Sequence, residues 1–446
     1  MTELRRSLSL FDMTMIAIGG TIGSGIFLTP SMIAAALPSP WLILLVWAIG
    51  GSMALAGALS FSELAAMMPR AGGMYVYLKE AYGSLVGFLF GWAYFLVVNG
   101  GGLGALSVAF ATYVGYFVPL GSTGTRLVAI AGLAALTTIN VFGVKAGALF
   151  SDVFTALKVA GIAALVVVGL GLGSSATTDF TPSLASGPAG LWGGLTLAMV
   201  GVLWSSGGWQ HSTFASAEIK NVRRTLPIAM VLGTLAVTAI YLSVNLAYMF
   251  MLTPAEMARS PRVAADAVER VLGPAGGSLI SLAIFISTFG VVGIYTLTAP
   301  RIYFAMARDG LFFERVADVH PRFHTPALAI ALQSLWAAVL ILFWGTFESL
   351  ISYVVFTDWI FFGLAAAAVI VLRHRQPHAE RPFRVPLYPI TPLFFVLMST
   401  WFVLTTLVQK PAQAWAGLAF LGLGLPAYAY WARRRGAVGP QAPGLD

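Results

Sequence analysis

Two clusters of small residues lie inside long apolar runs of this 446-residue chain: Gly19-Gly20-Thr21-Ile22-Gly23-Ser24-Gly25 and Ser205-Ser206-Gly207-Gly208-Trp209. Glycine weakens a helix interior, so each cluster reads as a place where a helix comes apart. Small residues also let helices pack closely, and one cluster alone would favour that plainer reading. Two clusters, each centred in its own apolar run, favour breaks. In hydrocarbon, unwound main chain survives only where it is buried in protein or lines a cavity. The half-helix starting near Gly25 would present N–H groups and a positive dipole end at Ser24 and Gly25, which suits a carboxylate. The half ending near Thr21 and Ile22 would present unpaired carbonyls, which suit an ammonium. Carbonyls near Trp204, Ser205 and Gly207 would add to these. Donors for an anion beside acceptors for a cation match the backbone that all α-amino acids share.

Charged side chains at membrane depth are costly and default to functional readings. Lys158 lies about nine residues into an apolar run, roughly 13 Å along a helix rising 1.5 Å per residue, too deep for easy snorkelling. It could titrate or stay charged as a strut. Asp358, about 11 residues into another run, could relay protons, pair with a polar neighbour or support a packing contact through Thr357. Glu63 and Glu218 sit near the ends of their runs beside basic loops, and read as inner-gate salt-bridge partners rather than substrate ligands. The chain has no Cys, which removes disulfides, thiolate nucleophiles and Cys-ligated metals. Its five His show no HExxH or comparable spacing, so no metal and no cofactor is expected. The chain also lacks GxSxG, which leaves an intramembrane enzyme without a nucleophile.

The elements that must position these groups follow from composition. With 58% hydrophobic and 9% charged residues, the chain cannot coat a water-soluble globule. About twenty apolar residues span a bilayer, and twelve segments qualify: roughly 12–36, 41–66, 84–116, 126–143, 149–172, 190–217, 226–252, 275–302, 326–345, 347–372, 388–408 and 412–432. The fold class expected is all-α integral membrane. The net charge of +8 could suggest nucleic acid, but the charges sit in gaps between spans. Of the 25 Lys and Arg, only Arg126, Arg259, Arg262, Arg270 and Lys410 fall on the side opposite the N-terminus. That asymmetry places both termini in the cytoplasm.

The two clusters lie five spans apart, so their helices run in opposite directions. That arrangement is an inverted repeat, 12–172 against 190–372, with 388–432 appended. The stretch Asn99-Gly100-Gly101-Gly102 reads as close packing against the first span or as widening the pocket, rather than as a third break. Residues 264–272 form an amphipathic helix on the outside, and 75–82 a short interfacial helix on the inside.

At these residues the sequence resembles the amino acid-polyamine-organocation superfamily, and in particular the L-type amino acid transporter branch with its bacterial relatives. The markers are Gly20-Thr21-Ile22-Gly23-Ser24-Gly25-Ile26-Phe27, Glu63-Leu64, Pro69-Arg70-Ala71-Gly72-Gly73-Met74-Tyr75-Val76-Tyr77-Leu78, Gly207-Gly208-Trp209, Glu218-Ile219-Lys220-Asn221, Arg308-Asp309-Gly310 and Arg381-Pro382-Phe383-Arg384-Val385-Pro386. The resemblance implies a five-plus-five LeuT-like core with discontinuous helices 1 and 6, moving amino acids by alternating access. It implies a carboxylate site at Ser24 and Gly25, an amine site on the carbonyls of Thr21, Trp204 and Gly207, and Trp204 as a gate over the substrate. It also places Lys158 beside the span 8 hydroxyls Ser287 and Thr288, where sodium-coupled relatives hold sodium, so transport is expected to be sodium-independent. The branch usually has Asn-Pro where Asn221-Val222 stands here, and often a small polar residue where Val291 stands. Vertebrate members tether a partner glycoprotein through a cysteine, which this chain lacks.

The expected function is thus plasma-membrane transport of neutral L-amino acids, by exchange or proton symport. No acidic residue lies within either cluster, which argues against cationic amino acids or polyamines. A transport-dead amino acid sensor leaves no mark on sequence and stays open beside them.

Overall fold

The computed structural model describes residues 6–174, 178–182, 184, 187–344 and 347–438. Ser9 opens the first helix: its hydroxyl accepts from the Asp12 N–H, and the Asp12 carboxylate accepts from the Ser9 N–H at 2.6 Å, a reciprocal cap. This helix, α1 (Leu10–Thr21), stops inside the glycine cluster, and α2 (Gly25–Ala36) resumes after Ile22, Gly23 and Ser24. Next, α3 (Pro40–Met67) starts on a proline, tolerated there because a first-turn N–H has no intrahelical partner. The short α4 (Met74–Tyr82) follows, then α5 (Ser84–Ala93), which passes through a π-helical turn at Tyr94–Val98 into α6 (Asn99–Phe117). After α7 (Ser122–Val141) and α8 (Val144–Leu172), α9 (Gly190–Ser206) stops at the second cluster and α10 (His211–Phe214) adds one turn beyond it. The remainder comprises α11 (Val222–Met251), α12 (Pro254–Arg259), α13 (Val263–Leu272), α14 (Pro274–Thr298), α15 (Pro300–Arg308), α16 (Ala327–Trp344), α17 (Phe347–Arg375), α18 (Ile390–Gln409) and α19 (Pro411–Val438).

Among the described residues, nine helical stretches are long and apolar enough to cross a membrane, with Gly190–Ser206 and Ala327–Phe343 as shorter apolar helices. Large apolar side chains such as Val167, Leu279, Leu335, Leu397 and Val408 stand exposed around the outside, a surface suited to hydrocarbon rather than water. Several expected segments carry finer structure than their hydropathy showed. The segment at 190–217 is continuous helix only as far as Ser206, and that at 84–116 contains a π turn just before Asn99 rather than a break. The last residue of the segment at 326–345 lies outside the described residues.

Glycine sets the closest helix approaches. A methyl group on Gly51 of α3 would lie 2.2 Å from Thr238 of α11, and one on Gly233 of α11 would lie 2.6 Å from the Ala17 methyl of α1. These contacts hold α1 against α11 and α11 against α3. A second apolar cluster joins α6, α7, α14 and α16 through Leu103, Phe110, Leu133, Leu136, Val291 and Ile341. Ahead of α1, the N–H groups of Ser7 and Leu8 both donate to Glu218 O, at 2.9 and 3.0 Å, and Lys220 N–H donates to Leu8 O at 2.9 Å. This strap contains an isolated parallel β-bridge, Leu8 to Ile219.

Candidate functional site

At the first break the Ile22 N–H still bonds back to Ile18 O at 2.8 Å, after which the chain extends. Ser24 occupies the cap position of α2, yet its hydroxyl makes no capping bond. That hydroxyl is fully buried with no hydrogen-bond partner among the described residues. In the first turn of α2 the Phe27 N–H already donates to Ser24 O at 3.2 Å, whereas the N–H groups of Gly25 and Ile26 have no preceding turn to bond to. This end of the break therefore offers donors around Ser24 and Gly25.

The carbonyl side differs from the expectation. Lys158 of α8 reaches across and donates to Gly19 O at 2.9 Å and to Ile22 O at 2.7 Å. Ile22 thus already holds an ammonium that belongs to the protein, because the helix end and the buried cation satisfy each other. The Tyr241 hydroxyl of α11 is shared between Thr21 O, at 2.9 Å, and Ser205 O, at 2.8 Å. A carbonyl has two lone pairs, so Thr21 keeps acceptor capacity. The expected companions of Lys158 do not bond to it: Thr288 turns back to Ile284 O and Phe285 O, and Ser287 is buried without a partner among the described residues.

The second break meets the first main chain to main chain. Gly208 has φ +116°, a conformation that favours glycine, and a methyl group there would lie 2.2 Å from Gly20 O and 2.8 Å from Thr21 Cα. One added on Gly25 would lie 2.3 Å from the Ser205 hydroxyl. Ser205 itself bonds to Gly201 O and to the Thr29 hydroxyl, so its side chain fastens α9 to α2. The N–H groups of this break are used: Gly207 donates to Leu203 O at 3.1 Å, and Gly208 to Gln210 Oε1 at 2.7 Å.

Beside the second break lies a hollow of about 30 Å³, lined by Trp204, Gly207, Gly208, His211, Tyr295 and Asp358 among others. At about 10–15 Å³ per water-sized centre it has room for roughly two such groups. Asp358 is buried, and its Oδ1 has no hydrogen-bond partner among the described residues. The carboxyl thus reaches the break from α17, although no acidic residue belongs to the cluster itself. Its neighbour Thr357 likewise has an unpartnered hydroxyl among those residues, and that hydroxyl lies close to α19, 3.0 Å from where a methyl group on Gly417 would stand.

Glu63 and Glu218 are fully buried and ion-paired. Glu63 accepts from Arg373 Nε and Nη2, at 2.9 and 2.6 Å, and from the Val385 N–H at 2.7 Å. Glu218 takes Arg301 at 2.7 and 3.1 Å, while Arg301 also donates to Leu297 O. Nearby in sequence, Tyr75 and Lys79 of α4 both reach Asp309 at 2.6 Å. The motifs outside the breaks therefore bind one another. Sequence reasoning missed Tyr241, Tyr94 and His211. Only the last left a trace, in the polar run Gln210-His211-Ser212-Thr213 that interrupts an apolar segment. Among the described residues no group of His, Asp and Glu could hold a metal.

A sequence profile described as amino acid permease matches residues 8–425. The chain is 32% identical over 414 residues to the b(0,+)-type amino acid transporter 1 of Homo sapiens, covering 92% of this chain and 84% of that protein. It is 33% identical over 440 residues to the serine/threonine exchanger SteT of Bacillus subtilis (strain 168), covering 97% and 98%. Against the large neutral amino acids transporter small subunit 2 of Mus musculus it is 30% identical over 440 residues, covering 96% and 82%. With likeness of that extent along nearly its whole length, the chain belongs to the amino acid permease family: it is a multi-pass membrane transporter of amino acids and not an enzyme.

Proposed function

We propose that the protein is a sodium-independent secondary transporter of neutral L-amino acids in the plasma membrane, working by alternating access as an exchanger or with a proton. In this reading the chain crosses twelve times with both termini inside, and 12–172 and 190–372 form the inverted repeat. The observation that carries the proposal is the junction of the two breaks, where the buried Ser24 hydroxyl has no partner among the described residues while Lys158 fills the end of α1. A substrate carboxylate completes the donors around Ser24 and Gly25. Its ammonium uses the remaining acceptors of Thr21, Trp204 and Gly207. A tethered ammonium on the carbonyls of Gly19 and Ile22 does the work of an added cation, which makes sodium unnecessary. Trp204 closes the hollow, and the ion pairs of Glu63 and Glu218 hold the inner side shut. The names of the relatives, an exchanger among them, support exchange.

The test is uptake of labelled neutral amino acids into liposomes carrying the purified protein. Uptake stimulated by internal unlabelled amino acid, and unchanged when choline replaces sodium, is expected. Uptake that requires sodium would overturn the role given to Lys158. Ser24→Pro, which alters the donor end of α2, is expected to abolish uptake.

A further inference from the structure

We propose that an amino acid binding at the junction of the two breaks displaces a proton from Asp358, so that proton and amino acid take turns at one site and cross in opposite directions. The inference rests on the transport reading above, which leaves the coupling open, and names it as antiport. Asp358 of α17 is about nine-tenths buried, and its Oδ1 has no hydrogen-bond partner among the described residues. It borders the hollow of about 30 Å³ together with Trp204 and Gly207, two of the residues whose carbonyls are proposed to take the substrate ammonium. Carboxyl and ammonium site thus share one small space.

Among the described residues no cation faces the carboxyl. The titratable groups that do are Tyr94, His211 and Tyr295. Thr298 gives its hydroxyl hydrogen to Ile294 O at 2.8 Å, so at 2.6 Å it accepts from His211 Nδ1–H. His211 Nε2 then accepts the Tyr94 hydroxyl hydrogen at 3.0 Å, which leaves the imidazole with one proton and no charge. The Tyr295 hydroxyl, the Gln210 amide and the Trp204 indole also border the hollow, but these are neutral donors and Oδ1 stays unmet beside them. The other helices packed on α17 add nothing nearer. Neither α9 nor α18 contains a titratable residue, and those of α6 and α19 lie in their C-terminal halves. On α4, Tyr82 donates to Leu364 O, and Lys79 is bound by Asp309. Glu63 of α3 is bound by Arg373, which is fifteen residues beyond Asp358, roughly 22 Å along the helix.

With these neighbours the carboxyl holds its proton. A carboxylate without a counter-ion is costly in an apolar surrounding, and α9 ends beside it at Ser206, where the negative end of the helix dipole disfavours an anion. An arriving ammonium reverses that balance. Seated on the carbonyls of Trp204 and Gly207, it brings a cation into the same hollow, and an opposite charge within about 4–6 Å favours the ionised carboxylate. The Asp358 O–H bond then breaks and the proton passes to water on the open side, while the ammonium keeps its three hydrogens. The substrate carboxylate is met separately, around Ser24 and Gly25. One proton leaves for each zwitterion bound. Amino acid can therefore replace amino acid with no net proton movement, whereas a return without amino acid carries the proton back.

The experiment uses the purified protein in weakly buffered detergent at several pH values from mildly acid to neutral, with alanine as the probe because it stays a zwitterion there. Adding alanine is expected to release about one proton per alanine bound, read with a pH dye. Affinity is expected to weaken by up to about tenfold per pH unit of acidification, as one-for-one linkage requires. In liposomes loaded with labelled alanine, with no amino acid outside, an outside-acid gradient should speed efflux several-fold. Asp358→Asn, which cannot ionise, is expected to bind alanine without proton release and with an affinity flat in pH, whereas His211→Asn keeps the release. Absence of proton release from the intact protein overturns the inference whatever the variants do, so a variant that fails to insert does not protect it. Efflux sped by an outside-alkaline gradient also overturns it, since that is the sign of symport. Release kept in Asp358→Asn overturns the assignment to the carboxyl. If alanine exchanges without proton release, the coupling claim fails and the transport reading stands. If alanine neither binds nor exchanges, both fail.

Discussion

At residues 21–24 carbonyls of the chain are engaged from within the protein, Ile22 by Lys158 and Thr21 in part by Tyr241, while the Ser24 hydroxyl has no partner among the described residues. At residues 207–210 the N–H groups of Gly207 and Gly208 are satisfied, and Asp358 Oδ1, which borders the adjoining hollow, has no partner among the described residues. Two similar glycine clusters have thus been finished with opposite polarity. One leaves a hydroxyl unmet beside a helix N-terminus, and the other a carboxyl oxygen beside a helix C-terminus. The contrast comes from side chains on α8, α11 and α17, none of which belongs to either cluster.

The comparison can be broken at three points. Gly208→Ala places a methyl group against Gly20 O and forces an unfavourable φ. Overpacking and backbone strain of about 1–3 kcal/mol each should lower the thermal midpoint in detergent markedly and abolish uptake. A variant that melts like the parent would show that the breaks need not touch. Lys158→Met keeps the length of the side chain but strips the donors from Gly19 O and Ile22 O. With charge-assisted bonds worth about 1.5–3 kcal/mol, a loss of roughly 2–3 kcal/mol is expected, with uptake falling to background. Full stability would mean that the end of α1 does not depend on its cation. Tyr241→Phe removes one shared hydroxyl and should cost about 1 kcal/mol. We expect uptake several-fold slower with little change in melting, and an unchanged rate would remove Tyr241 from the site.

How much was legible depended on whether a feature was local. The breaks could be read because glycine acts on its own backbone: α1 ends at Thr21 and α2 begins at Gly25, where the cluster lies. Lys158 was legible through its depth, since a cation that far into an apolar run must find acceptors, and unwound main chain supplies them. Its precise partners were not: a helix end has several carbonyls, Thr288 spends its hydroxyl on its own helix, and Ser287 has no partner among the described residues. Glu63 and Glu218 announced ion pairs by lying near basic loops. Tyr241 and Tyr94 gave no signal, because an aromatic inside an apolar helix looks the same whether its hydroxyl is idle or holds a carbonyl 220 residues away. Asp358 was seen as a costly charge but not as a neighbour of the second break, for that proximity depends on how α17 packs against α9 and α10.

The strap ahead of α1 has a practical consequence. Its three main-chain bonds tie Ser7 and Leu8 to the residues flanking Ile219, immediately beside the Glu218–Arg301 pair. Extending the polypeptide in front of Ser7 leaves those bonds intact, whereas trimming through Leu8 deletes them together. A purification handle belongs before the strap, and a deletion series should show its step at that residue.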